Sequence, residues 1–216
     1  MSRPGDLTPA QRTLLDRLEA SDLASTFYLT GGVALSAFHL HHRDSLDLDL
    51  FSRRSFDPKK VVRWLNEVAT GALVPRRTGD RYEFTVPIGD ERIRVEFVHY
   101  DFDRIEPPSV HHGRIAVDGL RDIAANKLSA GIERAEPKDF ADLLFLLRRN
   151  DVPLARAIED CRRKFGWPAL ERILQTALLK VERLSGWPLT EPHTTLDEAR
   201  SFFRNAVRSL VRAEVE

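Results

Sequence analysis

Cysteine is almost absent from this chain of 216 residues, in which Cys161 stands alone. A single cysteine cannot form an internal disulfide, and no group of Cys and His residues has zinc-ligand spacing. The composition therefore argues against a disulfide-stabilised secreted domain and against a structural zinc site. A reducing cytoplasm is the compartment that this cysteine usage predicts.

Net charge is also absent, because Lys plus Arg and Asp plus Glu both total 33. A neutral chain has no overall field that draws it to nucleic acid or to an anionic membrane, so such binding needs a local patch. Apolar runs of membrane-spanning length are missing, and the first residues, Met1 to Asp6, are polar. We therefore expect a soluble protein without a membrane partner.

Two common nucleotide-binding loops are missing as well. Neither Gly-x-x-x-x-Gly-Lys nor Gly-x-Gly-x-x-Gly occurs in the sequence. Their absence argues against a P-loop kinase and against a dehydrogenase that binds a dinucleotide. Any nucleotide chemistry must use a different phosphate-binding element.

The first half of the chain mixes strand and helix patterns. Thr8-Pro9-Ala10-Gln11 has the cap, the first-turn proline and the reaching Gln of a helix start. A further helix is predicted from Pro58 to about Thr70, and its apolar side consists of Val61, Val62, Leu65 and Val68. Segments 82–86 and 93–97 alternate apolar and polar residues around Gly89-Asp90, which predicts a hairpin.

The second half is helical from Leu120 onward, where apolar residues recur at helical spacing between Pro, Gly and Trp-Pro junctions. The stretch from Ile105 to Ser109 contains two prolines and predicts a linker. We therefore predict an α+β fold with two domains. The first is an α/β core at residues 1–108, and the second is a mainly helical lobe at residues 109–216.

One alternating segment carries carboxylates. Ser45-Leu46-Asp47-Leu48-Asp49-Leu50 places three leucines on one strand face and both aspartates on the other. Two carboxylates so close repel each other unless a cation or solvent separates them, and Mg²⁺ takes oxygen ligands. If the strand of Glu96 is a neighbour, three carboxylates can hold the two metal ions of an in-line phosphoryl displacement. This pattern predicts nucleotidyl transfer, and the solvated face of an edge strand is the alternative.

A glycine pair precedes this segment. The apolar run Phe27-Tyr28-Leu29 ends at Thr30-Gly31-Gly32, and helical spacing follows. A turn without side chains at the start of a helix lets backbone N–H groups approach a phosphate. We predict that Gly31 and Gly32 hold a triphosphate, and an ordinary turn is the alternative.

Taken together and in order, these motifs resemble the AbiEii/AbiGii toxin family of nucleotidyltransferases, within the DNA polymerase β-like superfamily. The resemblance covers about residues 27–147 and rests on Leu29–Leu35, His42–Phe51, Lys127, Arg134 and Lys138-Asp139-Phe140-Ala141-Asp142-Leu143. The chain departs from the family pattern at Val33, where the family often has Thr. It also departs at the third carboxylate, Glu96, which no tight motif fixes.

The resemblance implies a minimal polymerase β-like fold, with a small mixed sheet flanked by helices and a helical lobe that closes over the nucleotide. It implies catalytic roles for Asp47, Asp49, Lys127 and Asp142. It implies that the nucleotide is contacted by Gly31, Gly32, Arg43, Ser45 and Lys127. The metal ligands for two Mg²⁺ ions would be Asp47, Asp49 and Glu96. Asp142 would orient either Lys127 or the incoming hydroxyl.

The implied activity is Mg²⁺-dependent transfer of NMP from an NTP to an acceptor hydroxyl, with RNA, such as the tRNA 3′ end, as acceptor. By the same resemblance the protein is the toxin of a toxin–antitoxin pair, with a cognate antitoxin as partner. Two alternatives remain open. One is a non-catalytic nucleotide-sensing or antitoxin-binding module on the same fold. The other is a small-molecule nucleotidyltransferase of the antibiotic-modifying type.

A basic stripe follows the last predicted helix, because arginine recurs every four residues at Arg200, Arg204, Arg208 and Arg212. Apolar residues on the other side of this helix are Phe203, Val207, Leu210 and Val211. Arginines at this pitch can contact successive RNA phosphates. A solvated helix face is the alternative.

Overall fold

The computed structural model of the chain describes residues 3–167 and 169–215. The chain separates into two compact units. The sheet unit combines Met1–Asp103 with Pro107–Gly119, and the helical unit combines Arg104–Glu106 with Leu120–Glu216. The α+β class predicted from the sequence is confirmed.

The sheet unit is built on a mixed sheet. Its strands in chain order are β1 (Tyr28–Thr30), β2 (Leu48–Ser52), β3 (Val74–Thr78), β4 (Arg81–Ile88), β5 (Glu91–His99), β6 (Val110–His112) and β7 (Ile115–Val117). In the described residues they form one sheet in the order β3-β4-β5-β2-β1-β7-β6. The pairs β2–β5 and β1–β7 are parallel and the other pairs are antiparallel. The predicted hairpin is confirmed as β4 and β5.

In the described residues, the α-helices of the sheet unit are α1 (Pro9–Glu19), α2 (Gly31–Leu35) and α3 (Pro58–Val68). The predicted start of α1 is confirmed, because Thr8 accepts from the backbone of Gln11 while the Gln11 side chain accepts from the backbone of Thr8. The helix α2 begins directly after β1, as predicted, and continues as a π-helical turn at Ser36–Leu40.

A small buried cluster of Tyr28, Phe51 and Val98 lies on one face of the sheet. The main core of the sheet unit lies on the opposite face, which α1 and α3 contact. Leu48, Leu50, Val95 and Phe97 point to this face and are almost fully buried. Leu46 does not join them: it precedes β2 and is 68% exposed, so the predicted face of three leucines is wrong at that position. Val62 was also predicted on the buried side of its helix but is 37% exposed.

The two strands β7 and β6 form the edge of the sheet next to β1. The predicted boundary after residue 108 assigned them to the helical lobe, whereas β7 pairs with β1 through Leu29 and Val117. Ile115 and Val117 are fully buried, which explains why this short segment stays with the sheet. Strands of three residues carry too little alternation to be recognised from sequence.

The helical unit consists of α4 to α8 in the described residues, as the periodicity predicted. Its helices are α4 (Leu120–Glu133), α5 (Pro137–Leu147), α6 (Leu154–Phe165), α7 (Leu170–Leu178), which leads into a 3₁₀ turn at Leu179–Arg183, and α8 (Leu196–Val215). In its core, Phe140 and Phe203 meet edge to face with ring centroids 5.2 Å apart. Among the described residues, no helix has both the length and the apolar character needed to cross a bilayer.

The first residues of the predicted linker are anchored in the helical unit. The backbone N–H of Ile105 donates to both carboxylate oxygens of Asp122, each at 3.1 Å. Lys164 donates to the same carboxylate at 2.8 Å, and both charged groups are almost fully buried. A buried carboxylate that is paired in this way fixes where the chain enters the unit.

Candidate active site

The carboxylates predicted as metal ligands lie along the polar face of the sheet. Asp49 of β2 is in parallel register with Glu96 of β5, so the two side chains share a face. Glu83 of β4 lies opposite Glu96, and Thr30 of β1 lies opposite Asp49. Asp47 precedes β2 by one residue. The condition on which the role of Glu96 depended, that its strand is a neighbour of the Asp49 strand, is met.

Gly31 lies directly against the carboxylate of Asp49. A Cβ atom built at Gly31 would overlap the Asp49 Oδ2 atom, and Gly31 has a φ of +71°. Both observations require glycine, because an L side chain would meet the carboxylate and would also be strained in this backbone conformation. The end of β1 and the acidic position of β2 therefore form one compact site.

Gly32, next to Gly31, packs against the segment that precedes β2. A Cβ atom at Gly32 would lie 2.5 Å from Ser45 Oγ and 3.1 Å from Arg43 Nη2. Arg43 is 5% exposed, and its Nη1 donates to the carbonyl of Asp44 at 2.8 Å. The structure thus brings together four residues predicted to contact the nucleotide: Gly31, Gly32, Arg43 and Ser45.

Gln11 holds this segment in place from α1. Its Nε2 donates to the carbonyl oxygens of Ser45 and Leu46, at 2.9 and 3.1 Å. Its Oε1 accepts from the backbone of Thr8, and the residue is 1% exposed. The sequence predicted the helix-capping half of this arrangement. The contact with residue 45 is long-range, and no local pattern indicates it.

Two arginines neutralise the predicted metal ligands. Arg94 donates to Asp47 Oδ2 at 2.5 Å and lies 3.7 Å from Glu83. Arg81 donates to Glu96 Oε2 at 2.6 Å. The hydrogen bond with Asp47 is the main reason that the pKa of Arg94 is raised above its ordinary value. Arg94 was not predicted as a site residue, although its position two residues before Glu96 places it on the same strand face.

The donor chemistry of this site suits a hard cation, because Mg²⁺ prefers carboxylate oxygens. Gly31 lets the backbone lie directly against the Asp49 carboxylate. The described side chains are not, however, arranged as a complete set of metal ligands. Within residues 3–167 and 169–215, no group of three or more His, Cys, Asp or Glu side chains is arranged to hold a metal ion. Asp47 and Glu96 are engaged by guanidinium groups instead.

The predicted catalytic residues of the helical unit form a buried network within that unit. Lys127 Nζ lies 2.8 Å from Asp139 Oδ1 and 2.6 Å from Asp142 Oδ2, and both carboxylates are fully buried. Arg134 Nε also donates to Asp139, at 2.8 Å. Burial alone would raise the pKa of Asp139, but the nearby charges of Lys127 and Arg134 outweigh burial and hold it below its ordinary value.

The comparisons with known proteins decide the family. The model of the nucleotidyl transferase AbiEii toxin of type IV toxin–antitoxin systems matches residues 13–214. The chain belongs to the AbiEii family. As the family resemblance implied, it is a nucleotidyltransferase toxin, with a nucleotide substrate and a cognate antitoxin implied by the type IV system.

This AbiEii protein has a distant similarity to one curated relative and to two solved structures. It is 28% identical over 162 residues to the uncharacterized protein aq_aa25 of Aquifex aeolicus (strain VF5), which covers 74% of this chain and 76% of that protein. It resembles the crystal structure of JHP933 from Helicobacter pylori with a TM-score of 0.58 and 17% identity, over 94% of this chain and 91% of the other. It also resembles the crystal structure of a proposed nucleotidyltransferase from H. pylori, with a TM-score of 0.58 and 18% identity. That similarity covers 97% of this chain and 99% of the other. These likenesses support the polymerase β-like fold.

Two further residues of this AbiEii chain touch the predicted site without having been singled out. The Thr30 hydroxyl is buried and has no hydrogen-bond partner in the described part of the chain. Its side chain faces that of Asp49 across β1 and β2. Asp139 links Lys127 to Arg134, and its place in the Lys-Asp-x-x-Asp motif was the signal that could have marked it.

Proposed function

We propose that this protein uses Mg²⁺ to transfer NMP from an NTP to a hydroxyl of RNA, with the tRNA 3′ end as the first acceptor to test. The observation that carries the proposal is the contact of Gly31 with Asp49. It supports a site in which a phosphate can lie beside a carboxylate that binds the cation. The toxic effect would follow from the modified RNA.

In this proposal Asp47, Asp49 and Glu96 hold the metal, which supplies charge neutralisation on the phosphates when bound. Gly31 and Gly32 present backbone to the triphosphate, and the side chains of Arg43 and Ser45 lie at the same corner. The acceptor oxygen bonds to the α-phosphorus while the bond to the pyrophosphate oxygen breaks. The acceptor proton passes to solvent.

Lys127 is proposed to counter the charge of the departing pyrophosphate. Its ion pairs with Asp139 and Asp142 support an orienting role for the two carboxylates, because paired groups hold a flexible lysine in one geometry. Of the two roles considered for Asp142, these contacts favour orientation of Lys127 over binding of the acceptor hydroxyl.

The basic stripe of α8 supports an RNA acceptor. Arg204, Arg208 and Arg212 are exposed, whereas Phe203 and Val207 on the other side are buried. Val211 was predicted on the apolar side but is 44% exposed. Successive arginines on this helix rise by about 6 Å, a spacing at which neighbouring phosphates can be contacted.

The test incubates the protein with total RNA, or with purified tRNA, and each labelled NTP in turn, with and without Mg²⁺. We expect labelled RNA only with Mg²⁺, and a loss of more than about a hundredfold in Asp49→Asn. Asp90→Asn, at an exposed turn, is the matched control and should retain activity. Absence of label from RNA under every condition, or an active Asp49→Asn variant, would contradict the proposal.

A further inference from the structure

An open groove lies on the sheet unit between α3 and the edge strand β3. It encloses about 710 Å³, and its floor is formed by Tyr82 and Phe84 of β4. Both side chains point to the same face of the sheet as Arg77 and Pro75 of β3, because the antiparallel register pairs them. The proposed transfer site uses the other face, so the groove is separate from it.

The walls of the groove are apolar in the middle and basic at the rim. On the α3 side, Val62 is 37% exposed beside Pro58. Among the described residues, the groove is lined by no carboxylate and by four exposed basic residues, namely Lys59, Arg63, Arg76 and Arg77. Arg76 contributes less than the others, because it is paired with Glu83 in the strand register and its side chain points to the opposite face of the sheet. The whole chain has zero net charge, so this concentration of one sign is local.

The basic residues of this groove are not neutralised within residues 3–167 and 169–215. In the part of the chain that the structure describes, none of the four forms an ion pair with Asp or Glu. Arg77 lies over the ring of Tyr82, 5.0 Å from its centroid, which holds the guanidinium at the groove floor. Exposed cations without an ion pair in the described residues, beside apolar side chains, complement a ligand that is both acidic and apolar.

We propose that this groove binds an acidic amphipathic helix of a partner protein. The lining residues of α3 run from Pro58 to Asn66 and recur at about one-turn intervals, so they offer a straight wall of about 12 Å. A helix of about three turns has apolar residues at positions i, i+4 and i+7 that can enter this groove. Its acidic face then meets the cations at the rim.

Two alternatives fit the groove less well. An added β-strand would need backbone donors along β3, and Pro75 has no N–H there. Single-stranded RNA would need exposed aromatic faces on which bases can stack. Phe84 is only 3% exposed, and Arg77 covers the ring of Tyr82. The apolar centre therefore favours aliphatic side chains of a polypeptide.

The test selects a displayed library of random 18-residue helical peptides on the full chain. We expect the enriched peptides to be acidic, with apolar residues at i, i+4 and i+7. In fluorescence anisotropy, the Lys59→Glu/Arg77→Glu variant should weaken their binding at least tenfold, and raised salt should weaken wild-type binding. Arg12→Glu/Arg17→Glu is the matched control, since these arginines are also exposed and lie on α1, outside the groove.

Thermal melting first establishes that both double variants fold. Three results would overturn the proposal: no enrichment of peptides, enrichment of peptides without acidic residues, or peptides that bind the groove variant as tightly as the wild type. The binding of a labelled 12-nucleotide single-stranded RNA to the wild type and to both double variants is measured in the same way. If RNA binding, and not peptide binding, is lost in Lys59→Glu/Arg77→Glu, the groove is a nucleic-acid surface and the proposal is wrong.

Discussion

Arg94 of β5 donates a hydrogen bond to Asp47, at 2.5 Å, and so places a guanidinium where the proposed metal site needs a cation. The same guanidinium lies 3.7 Å from Glu83. A positive side chain on this face reduces the mutual repulsion of the carboxylates in the absence of metal. It must also be displaced from Asp47, or share it, when a metal ion binds.

Arg94→Gln should therefore bind divalent metal more tightly than the wild type. Removing a charge beside a ligand carboxylate removes both repulsion and competition, and we expect about a tenfold lower Kd for Mn²⁺ without nucleotide. Isothermal titration calorimetry measures this directly. Arg92→Gln, exposed on the same strand, should leave the Kd unchanged. Equal affinities in Arg94→Gln and wild type would show that the ion pair does not oppose metal binding.

Gly31→Ala should damage the site beyond the ordinary cost of a side chain at positive φ. Gly79 is the control, because its φ is +58° and a Cβ there would meet no atom within 4 Å. We expect Gly79→Ala to cost about 1 kcal/mol of unfolding free energy from backbone strain alone. Gly31→Ala should cost more, because its Cβ collides with Asp49. Urea unfolding measures both, and equal losses would mean that Asp49 moves aside freely.

The sequence was sufficient for the parts of this site that are close together along the chain. Gly31 and Gly32 follow an apolar run, and Asp49 lies on an alternating segment, so local rules placed them correctly at the start of α2 and on β2. The alignment of Asp49 with Glu96 required two strands to be neighbours. The alternation in each strand fixed which faces would meet, but only the fold fixed the pairing.

Other features depended on long-range contacts and were missed. The partners of Gln11 and Arg94 lie 34 and 47 residues away along the chain, and no local pattern specifies them. Leu46 and Val62 fit the expected apolar faces by spacing alone, yet both are exposed. Periodicity shows which residues share a face, but it does not show where an element begins or what covers it.

Thr30→Val tests whether the buried hydroxyl beside Asp49 serves the substrate. The hydroxyl has no hydrogen-bond partner in the described residues, so its removal should change the unfolding free energy by less than about 1 kcal/mol. If it contacts bound nucleotide, KM for the NTP should rise about fivefold with little change in kcat. Steady-state kinetics and urea unfolding separate the two effects. An unchanged KM would assign Thr30 to packing alone.

Asp139→Asn should change how stability depends on pH. Asp139 has a lowered pKa in the folded chain, so its contribution is fully present above the unfolded value near 3.8 and is lost as pH falls through the folded value. At pH 7 we expect the variant to lose about 3 kcal/mol of unfolding free energy, because Lys127 and Arg134 lose a buried partner. This loss should shrink below about pH 4, which urea unfolding from pH 7 to pH 3 measures.

Asp151→Asn is the control: the Arg149–Asp151 pair is exposed, and its loss should cost less than about 1 kcal/mol. An equal penalty for Asp139→Asn at pH 7 and pH 3 would show that shape, and not charge, is what the Lys127 network requires.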